Sequence, residues 1–160
     1  NLDIHDNINL IKVETAEEMF KATQKNLPSD IAIFSAAVSD FKVTEKKKDK
    51  IKKQDNISIS LEKNIDILAY VSNHNSMRPK LVIGFAAETT DLEKNAISKL
   101  MNKNCDWIIA NDISKKNCGF ESDYNEVTIH YNKNKKEKLS HKKKSEISEE
   151  IVDRIVNQMN

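Results

Sequence analysis

Ile31-Ala32-Ile33-Phe34-Ser35-Ala36-Ala37-Val38, running on into Ser39-Asp40-Phe41, is the stretch that decides the fold. It is apolar almost without interruption over the length of a strand and lacks the alternation of a half-exposed one. That is the pattern of a strand buried on both faces of a sheet. Pro28, just upstream, ends whatever helix precedes it, because proline neither donates a hydrogen bond nor fits a helix interior. Asp40 then falls just beyond the strand's carboxyl end, the edge where open α/β sheets bind their ligands. A lysine-rich segment follows at once, closing on Lys50-Ile51-Lys52-Lys53-Gln54. Read alone it is either a solvated charge run or a binding loop, since several ammonium groups on one loop can follow a polyphosphate through a changing geometry.

Working outward, strand and helix alternate. Ile8 to Val13 is a short β-rich run, and Thr15-Ala16-Glu17-Glu18 fits a capping box opening a helix from Ala16 to Lys25. After the lysine segment, Ile57, Ile59 and Leu61 alternate with Ser58, Ser60 and Glu62, a strand with one wet face. Ile65, Leu68, Ala69 and Val71 suggest a short helix ending near His74 to Ser76. Leu81 to Ala87 reads as a second buried strand, Asp91 to Asn104 as a helix with Leu92, Ala96, Leu100 and Met101 on one face, and Trp107 to Ala110 as a third strand. Such repeats predict parallel strands with right-handed crossovers, hence a doubly wound, mostly parallel Rossmann-like α/β sheet with helices on both faces. Near the end the pattern changes. Val127 to Tyr131 and Lys138 to His141 read as an antiparallel hairpin, followed by a helix carrying Ile147, Ile151, Val152, Ile155, Val156 and Met159 in one stripe.

Composition bounds the function. A chain of 160 residues, 38% hydrophobic, supports one core and reads as a single domain over residues 1–160. The 26 basic residues nearly cancel the 25 acidic ones, so no general nucleic-acid or membrane surface is implied. With no long apolar run and no hydrophobic segment at Asn1 to Asn9, the expectation is a cytoplasmic protein. Cys105 and Cys118 lack a CxxC partner or metal-like spacing; reduced thiols, with Cys105 in the core, are expected. The only glycines are Gly84 and Gly119, so neither GxGxxG nor the P-loop motif is present.

Five segments carry a resemblance: Ala36-Ala37-Val38-Ser39-Asp40-Phe41, Lys50-Ile51-Lys52-Lys53-Gln54, Lys63-Asn64-Ile65-Asp66-Ile67, Gly84-Phe85-Ala86-Ala87-Glu88-Thr89, and Ala110-Asn111-Asp112 through Gly119-Phe120 with Asp123. In order and spacing the chain resembles the phosphopantothenoylcysteine synthetases (phosphopantothenate–cysteine ligases) of bacterial coenzyme A biosynthesis, often the carboxyl-terminal half of a bifunctional flavoprotein. The resemblance implies a ligase that spends CTP to activate the carboxylate of 4'-phosphopantothenate as an acyl cytidylate, which the amine of cysteine then attacks, releasing CMP.

By this resemblance Lys50 is the catalytic lysine, with Lys52 and Lys53 beside it on the triphosphate. Asp40 is a ribose contact or a Mg²⁺ contact. The backbone of Phe34, Ser35 and Ala36 meets the cytosine, Ile65, Asp66, Ile67 and Leu68 complete that pocket, and Phe85 packs against the nucleoside. Lys99 and Lys103, four apart on one helix face, reach the phosphates. Each has a plainer reading: Phe85 as core filling, Asp66 as a helix cap, Asn111-Asp112 as turn chemistry, and the two lysines as a wet helix face. The sequence departs from the family at Phe34, where a small residue is usual, and at Ile65, where a proline is usual.

The family's first strand, its glycine- and serine-containing phosphate loop and an asparagine used at the acyl-cytidylate stage would precede Asn1. The expectation is therefore an amino-terminally incomplete ligase domain, inactive or nearly so by itself. The family also implies a homodimer to which the hairpin region contributes, and FMN only where a decarboxylase domain is fused upstream. Two rivals remain on the residues alone. A nicotinamide- or flavin-binding domain would need the missing glycine turn. A non-catalytic basic binding module would account for the lysines, but the nine aromatics (one Trp, three Tyr, five Phe) do not interleave with them as stacking platforms.

Overall fold

A computed structural model describes residues 5–45, 49, 56–88, 90–112, 122–132 and 134–160. Lys50, Lys52, Lys53 and Cys118 lie outside the described residues. The chain runs α1 (Ala16–Lys25), β1 (Ile31–Phe34), β2 (Phe41–Val43), β3 (Leu61–Lys63), α2 (Ile67–Ser72), β4 (Leu81–Glu88), α3 (Leu92–Lys103), β5 (Trp107–Asp112), β6 (Tyr124–Tyr131), β7 (Lys136–Lys143) and α4 (Lys144–Met159). Five strands form one sheet in the order β1-β4-β5-β6-β7, and β2 and β3 form a separate ribbon. β1, β4 and β5 are parallel, whereas β6 and β7 join antiparallel. The mostly parallel α/β sheet with a carboxyl-terminal antiparallel hairpin and helix is the expected architecture.

The unbroken apolar runs of β4 and β5 have a physical cause on both faces. Leu81, Ile83, Trp107 and Ile109 join Val127, Ile129 and Leu139 under Ile147, Ile151 and Ile155 of α4. Their sequence neighbours Val82, Ala86, Ile108 and Ala110 turn the other way, against Val71 of α2 and Ala96 and Leu100 of α3. Every second residue is thus claimed by a different helical layer. Cys105 sits in this second layer, and burial pushes its thiol up to about 11, which keeps it protonated and unreactive.

Helix α1 opens as its sequence dictates. Thr15 Oγ1 accepts from the Glu18 amide at 3.2 Å, and Glu18 Oε2 accepts from the Thr15 amide at 3.3 Å, so two free donors of the first turn are satisfied. It packs on α2 through Phe20 and Tyr70, whose ring centroids stand 4.8 Å apart. Helix α3 is bracketed by Asp91 and Asn104 in left-handed conformations, φ 48° and 56°. Asn and Asp tolerate that region better than other residues with a Cβ.

Four expectations need correction. Ile8 to Val13 forms no strand, and Ile8, Leu10 and Ile11 are exposed. β1 covers only Ile31–Phe34 and pairs on one side alone, with β4, so Ile33 is half exposed rather than buried on both faces. The alternation at Ile57 to Leu61 becomes strand only from Leu61 onward, and its apolar side faces outward. Met101 of α3 and Val152 and Val156 of α4 lie one step around from the buried stripes and are exposed, because each helix has a sheet on one side only.

Candidate functional site

The crevice that an open α/β sheet offers at the carboxyl ends of its parallel strands would here lie beyond β1 and β4, bordered by α2, whose distance from the sheet depends on a glycine. Gly84 pairs with Phe34 across the β1-β4 ladder. A Cβ there would stand 2.7 Å from Leu68 Cδ2 and 2.9 Å from Ile108 Cδ1, so the glycine lets Leu68 of α2 seat against the sheet without either side chain shifting. That approach brings the amino terminus of α2 down to the strand ends.

Asp66 caps that terminus, its Oδ1 accepting from the Ala69 amide at 2.9 Å. Its Oδ2 takes the ammonium of Lys103, from the end of α3. Capping and ion pairing therefore use different oxygens of one carboxylate. Four residues earlier on α3, Lys99 Nζ lies 2.7 Å from Glu88 Oε1, at the end of β4. Asn95 Nδ2 holds the other Glu88 oxygen at 3.2 Å. Both lysines are thus held by carboxylates, Lys99 by that of Glu88 and Lys103 by that of Asp66. At 30% and 43% side-chain exposure they remain open to an anion.

The opposite wall is the chain leaving β1. Asn64 donates from Nδ2 to the Ser39 carbonyl at 2.8 Å and from its amide to the Asp40 carbonyl at 2.9 Å. Asp40 is thereby tied to the start of α2 across the root of the β2-β3 ribbon, and its carboxylate is exposed. Ser35, Ala36 and Ile65 are exposed around the same mouth, Phe34 is half-buried, and Phe85 keeps 38% of its surface accessible. Ile67 differs: at 5% exposure its side chain belongs to the core, and Leu68 is spent on Gly84.

Phe34 ends β1, with Ser35, Ala36 and Asp40 following it; Ile65 and Asp66 precede α2, Phe85 lies in β4, and Lys99 and Lys103 stand on α3, where Lys103 meets Asp66 and Lys99 meets Glu88. Lys50, the expected catalytic lysine, lies with Lys52 and Lys53 outside the described residues. Sequence reasoning missed Glu88, Asn95 and Asn64 as organisers. A carboxylate closing a buried strand one helix ahead of a lysine pair was the available signal. Among the described residues no three His, Cys, Asp or Glu side chains cluster to hold a metal ion.

The sequence matches the family described as "DNA/pantothenate metabolism flavoprotein C-terminal domain" over residues 1–159. It is 41% identical over 158 residues to the coenzyme A biosynthesis bifunctional protein CoaBC of Haemophilus influenzae, covering 98% of this chain and 39% of that protein. It is 37% identical over 147 residues to CoaBC of Bacillus subtilis, covering 91% of this chain and 36% of that one. The chain thus spans about two fifths of the length of these relatives. Among solved structures, the C-terminal domain of a CoaBC superposes with a TM-score of 0.69 at 30% identity, covering 93% of this chain and 67% of that chain.

Proposed function

The chain belongs to the DNA/pantothenate metabolism flavoprotein C-terminal domain family, and from that membership together with the crevice we propose that it carries the ligase site of coenzyme A biosynthesis. The reaction is the CTP-dependent joining of 4'-phosphopantothenate to L-cysteine through an acyl cytidylate. The observation that supports this best is the pair Lys99 and Lys103 of α3, ion-paired to Glu88 at the end of β4 and to Asp66 at the start of α2.

Activation brings a carboxylate against the α-phosphate, two anions whose repulsion must be offset by fixed positive charge. Lys99 and Lys103 supply part of it. Their ion pairs are substantially solvated and contribute at most about 1 kcal/mol each, so a triphosphate displaces the carboxylates without a large penalty. Phe85 offers its exposed face to the nucleoside, and the backbone at Phe34 to Ala36 offers groups that can read a base edge. Lys50 stabilises charge on the departing pyrophosphate. Mg²⁺ usually binds through one or two carboxylates plus substrate phosphates, and the exposed Asp40 suits that donor set, its carboxylate serving as the protein's share. The ion would screen the triphosphate. The attacking cysteine amine and the phosphopantothenate are the other two substrates.

Isothermal titration of the chain with CTP and Mg²⁺, beside ATP, NAD and a single-stranded oligonucleotide, tests the reading. CTP is expected to bind best, and Lys103→Ala to weaken it about 10- to 100-fold, the loss of one charge-assisted phosphate contact at roughly 1.4 to 2.8 kcal/mol. Equal, salt-sensitive binding of every polyanion would sink the ligase assignment.

The homodimer is part of the same proposal, and the β2-β3 ribbon suits it better than the carboxyl-terminal hairpin. Val43 and Leu61 are paired in register and share a face with Phe41, all exposed, while Lys42 and Glu62 form a 3.1 Å ion pair on the other face. Ile57 and Ile59 extend the exposed apolar surface. Hairpin β6-β7, by contrast, turns outward mostly charged side chains such as the Lys138–Glu126 pair. Leu61→Lys is expected to shift sedimentation from dimer to monomer, with dissociation at least about tenfold easier; an unchanged dimer would rule the ribbon out.

A further inference from the structure

One residue fastens the turn that carries Asp40. Asn64 donates from Nδ2 to the Ser39 carbonyl at 2.8 Å and from its own amide to the Asp40 carbonyl at 2.9 Å. Within the turn, Ser39 Oγ donates to the Phe41 carbonyl at 2.8 Å, and the paired positions of the ribbon begin at once with Phe41 opposite Lys63. None of these bonds uses the Asp40 carboxylate, which is exposed. The backbone is held while the side chain is left to solvent. The two bonds from Asn64 differ in what they require. Any residue but proline can give the amide bond to Asp40, whereas the bond to Ser39 needs a side-chain donor of this reach.

Without that side-chain bond the turn rests on little. The ribbon has three paired positions and no buried residue, and structure of this kind opens locally at small cost. Asn64 also stands between two charged groups of the candidate site. Two residues on, Asp66 caps α2 and takes the ammonium of Lys103. The path from the Asp40 turn to Lys103 therefore runs through Asn64-Ile65-Asp66 and is anchored by a side chain at each end. Mg²⁺ demands near-ideal octahedral geometry, with oxygens at about 2.0–2.1 Å. A carboxylate offered to it from a fraying turn would stray by more than a productive site tolerates.

We propose that Asn64 is a positioning residue for the nucleotide site: its side-chain amide fixes the turn so that the Asp40 carboxylate meets Mg²⁺ or the ribose of CTP. The inference rests on the ligase reading, in which Asp40 makes that contact. The test is a double-mutant cycle, titrating CTP with Mg²⁺ at fixed ionic strength into the parent chain, Asn64→Ala, Asp40→Ala and the double variant. Asn64→Ala is expected to weaken CTP about fivefold, the loss of one neutral hydrogen bond, and to make less than about a twofold difference once Asp40 is already alanine. A merely structural role would cost the same in both backgrounds, and that result would overturn the inference. So would an Asn64→Ala chain that binds CTP like the parent while Asp40→Ala binds it more weakly. A parent chain with no preference for CTP overturns the ligase reading and this inference with it, which keeps the two failures apart. The tie is also read without nucleotide: the amide of residue 64 should exchange about fivefold faster in Asn64→Ala, after allowance for the intrinsic rate, and an unchanged rate would count against the inference by itself. Core amide spectra check folding, and Asn64→Ser, too short to reach the carbonyl, serves should alanine disturb the ribbon.

Discussion

Gly84→Val is expected to lower the unfolding free energy by about 3 kcal/mol or more, at or above the upper end of the usual cost of overpacking a core. A first added carbon already meets Leu68 Cδ2 at 2.7 Å and Ile108 Cδ1 at 2.9 Å. Leu68 can swing aside for an alanine, so Gly84→Ala should cost roughly half as much. Valine adds two further methyls against both neighbours, and Ile108 is fully buried with nowhere to go. The relief left is to lift α2 from the sheet, carrying Asp66 away from Lys103. Urea denaturation gives the stability, and CTP titration of the alanine variant gives the displacement. A valine variant with the parent's midpoint would show that α2 is not seated as described.

Asp106→Ala is the second large loss, about 3 kcal/mol, for a different reason. Asp106 Oδ2 accepts from the Val82 amide at 2.7 Å and from Arg78 at 3.1 Å. Its backbone donates to the Val82 carbonyl and its carbonyl accepts from Asn132, both at 2.9 Å. One residue thus ties β4, β5 and the β6-β7 turn. Alanine keeps the backbone ties but strands a buried amide, which costs about 1–3 kcal/mol, and leaves a largely buried guanidinium without its counter-charge. The melting temperature should fall by roughly 10 °C. Asp106→Asn, which keeps an acceptor, should recover part of that; if it melts no higher than the alanine variant, the amide contact does not matter as argued.

How much of this was legible follows from what each residue's neighbours are. β4 and β5 could be read because both faces are buried, so a bare apolar run had one meaning. The capping box at Thr15 and Glu18 was legible because its partners lie within one turn. β1 was only half legible: Ile31 to Phe34 are strand, but whether a run is buried on both faces depends on strands far away in sequence. Ile57 to Leu61 shows the same limit, since alternation reveals that two faces differ, not which one meets solvent. In the crevice, Asp40, Asp66, Phe85, Lys99 and Lys103 came from a resemblance in order and spacing. Glu88 and Asn95 did not, because pairing across a crossover is a tertiary fact. Tyr131 was likewise opaque: burial, with Glu137 against its hydroxyl, raises its pKa to about 12.

The crevice has two walls of unequal firmness. β4 and β5 each have a strand on either side and a helix on either face, so their backbone opens only when most of the molecule does. β1 has one neighbour and four residues, and the ribbon beyond it has three paired positions and no buried residue. Asp40 sits on this lightly held side, whereas Glu88, Asn95 and Lys99 stand on the firm one. Any adjustment around a bound ligand therefore falls to the Asp40 wall, and its cost is a local opening energy rather than a share of global stability. Amide exchange would read that difference as fast at Phe41 to Val43 and slow at Ile108 to Ala110.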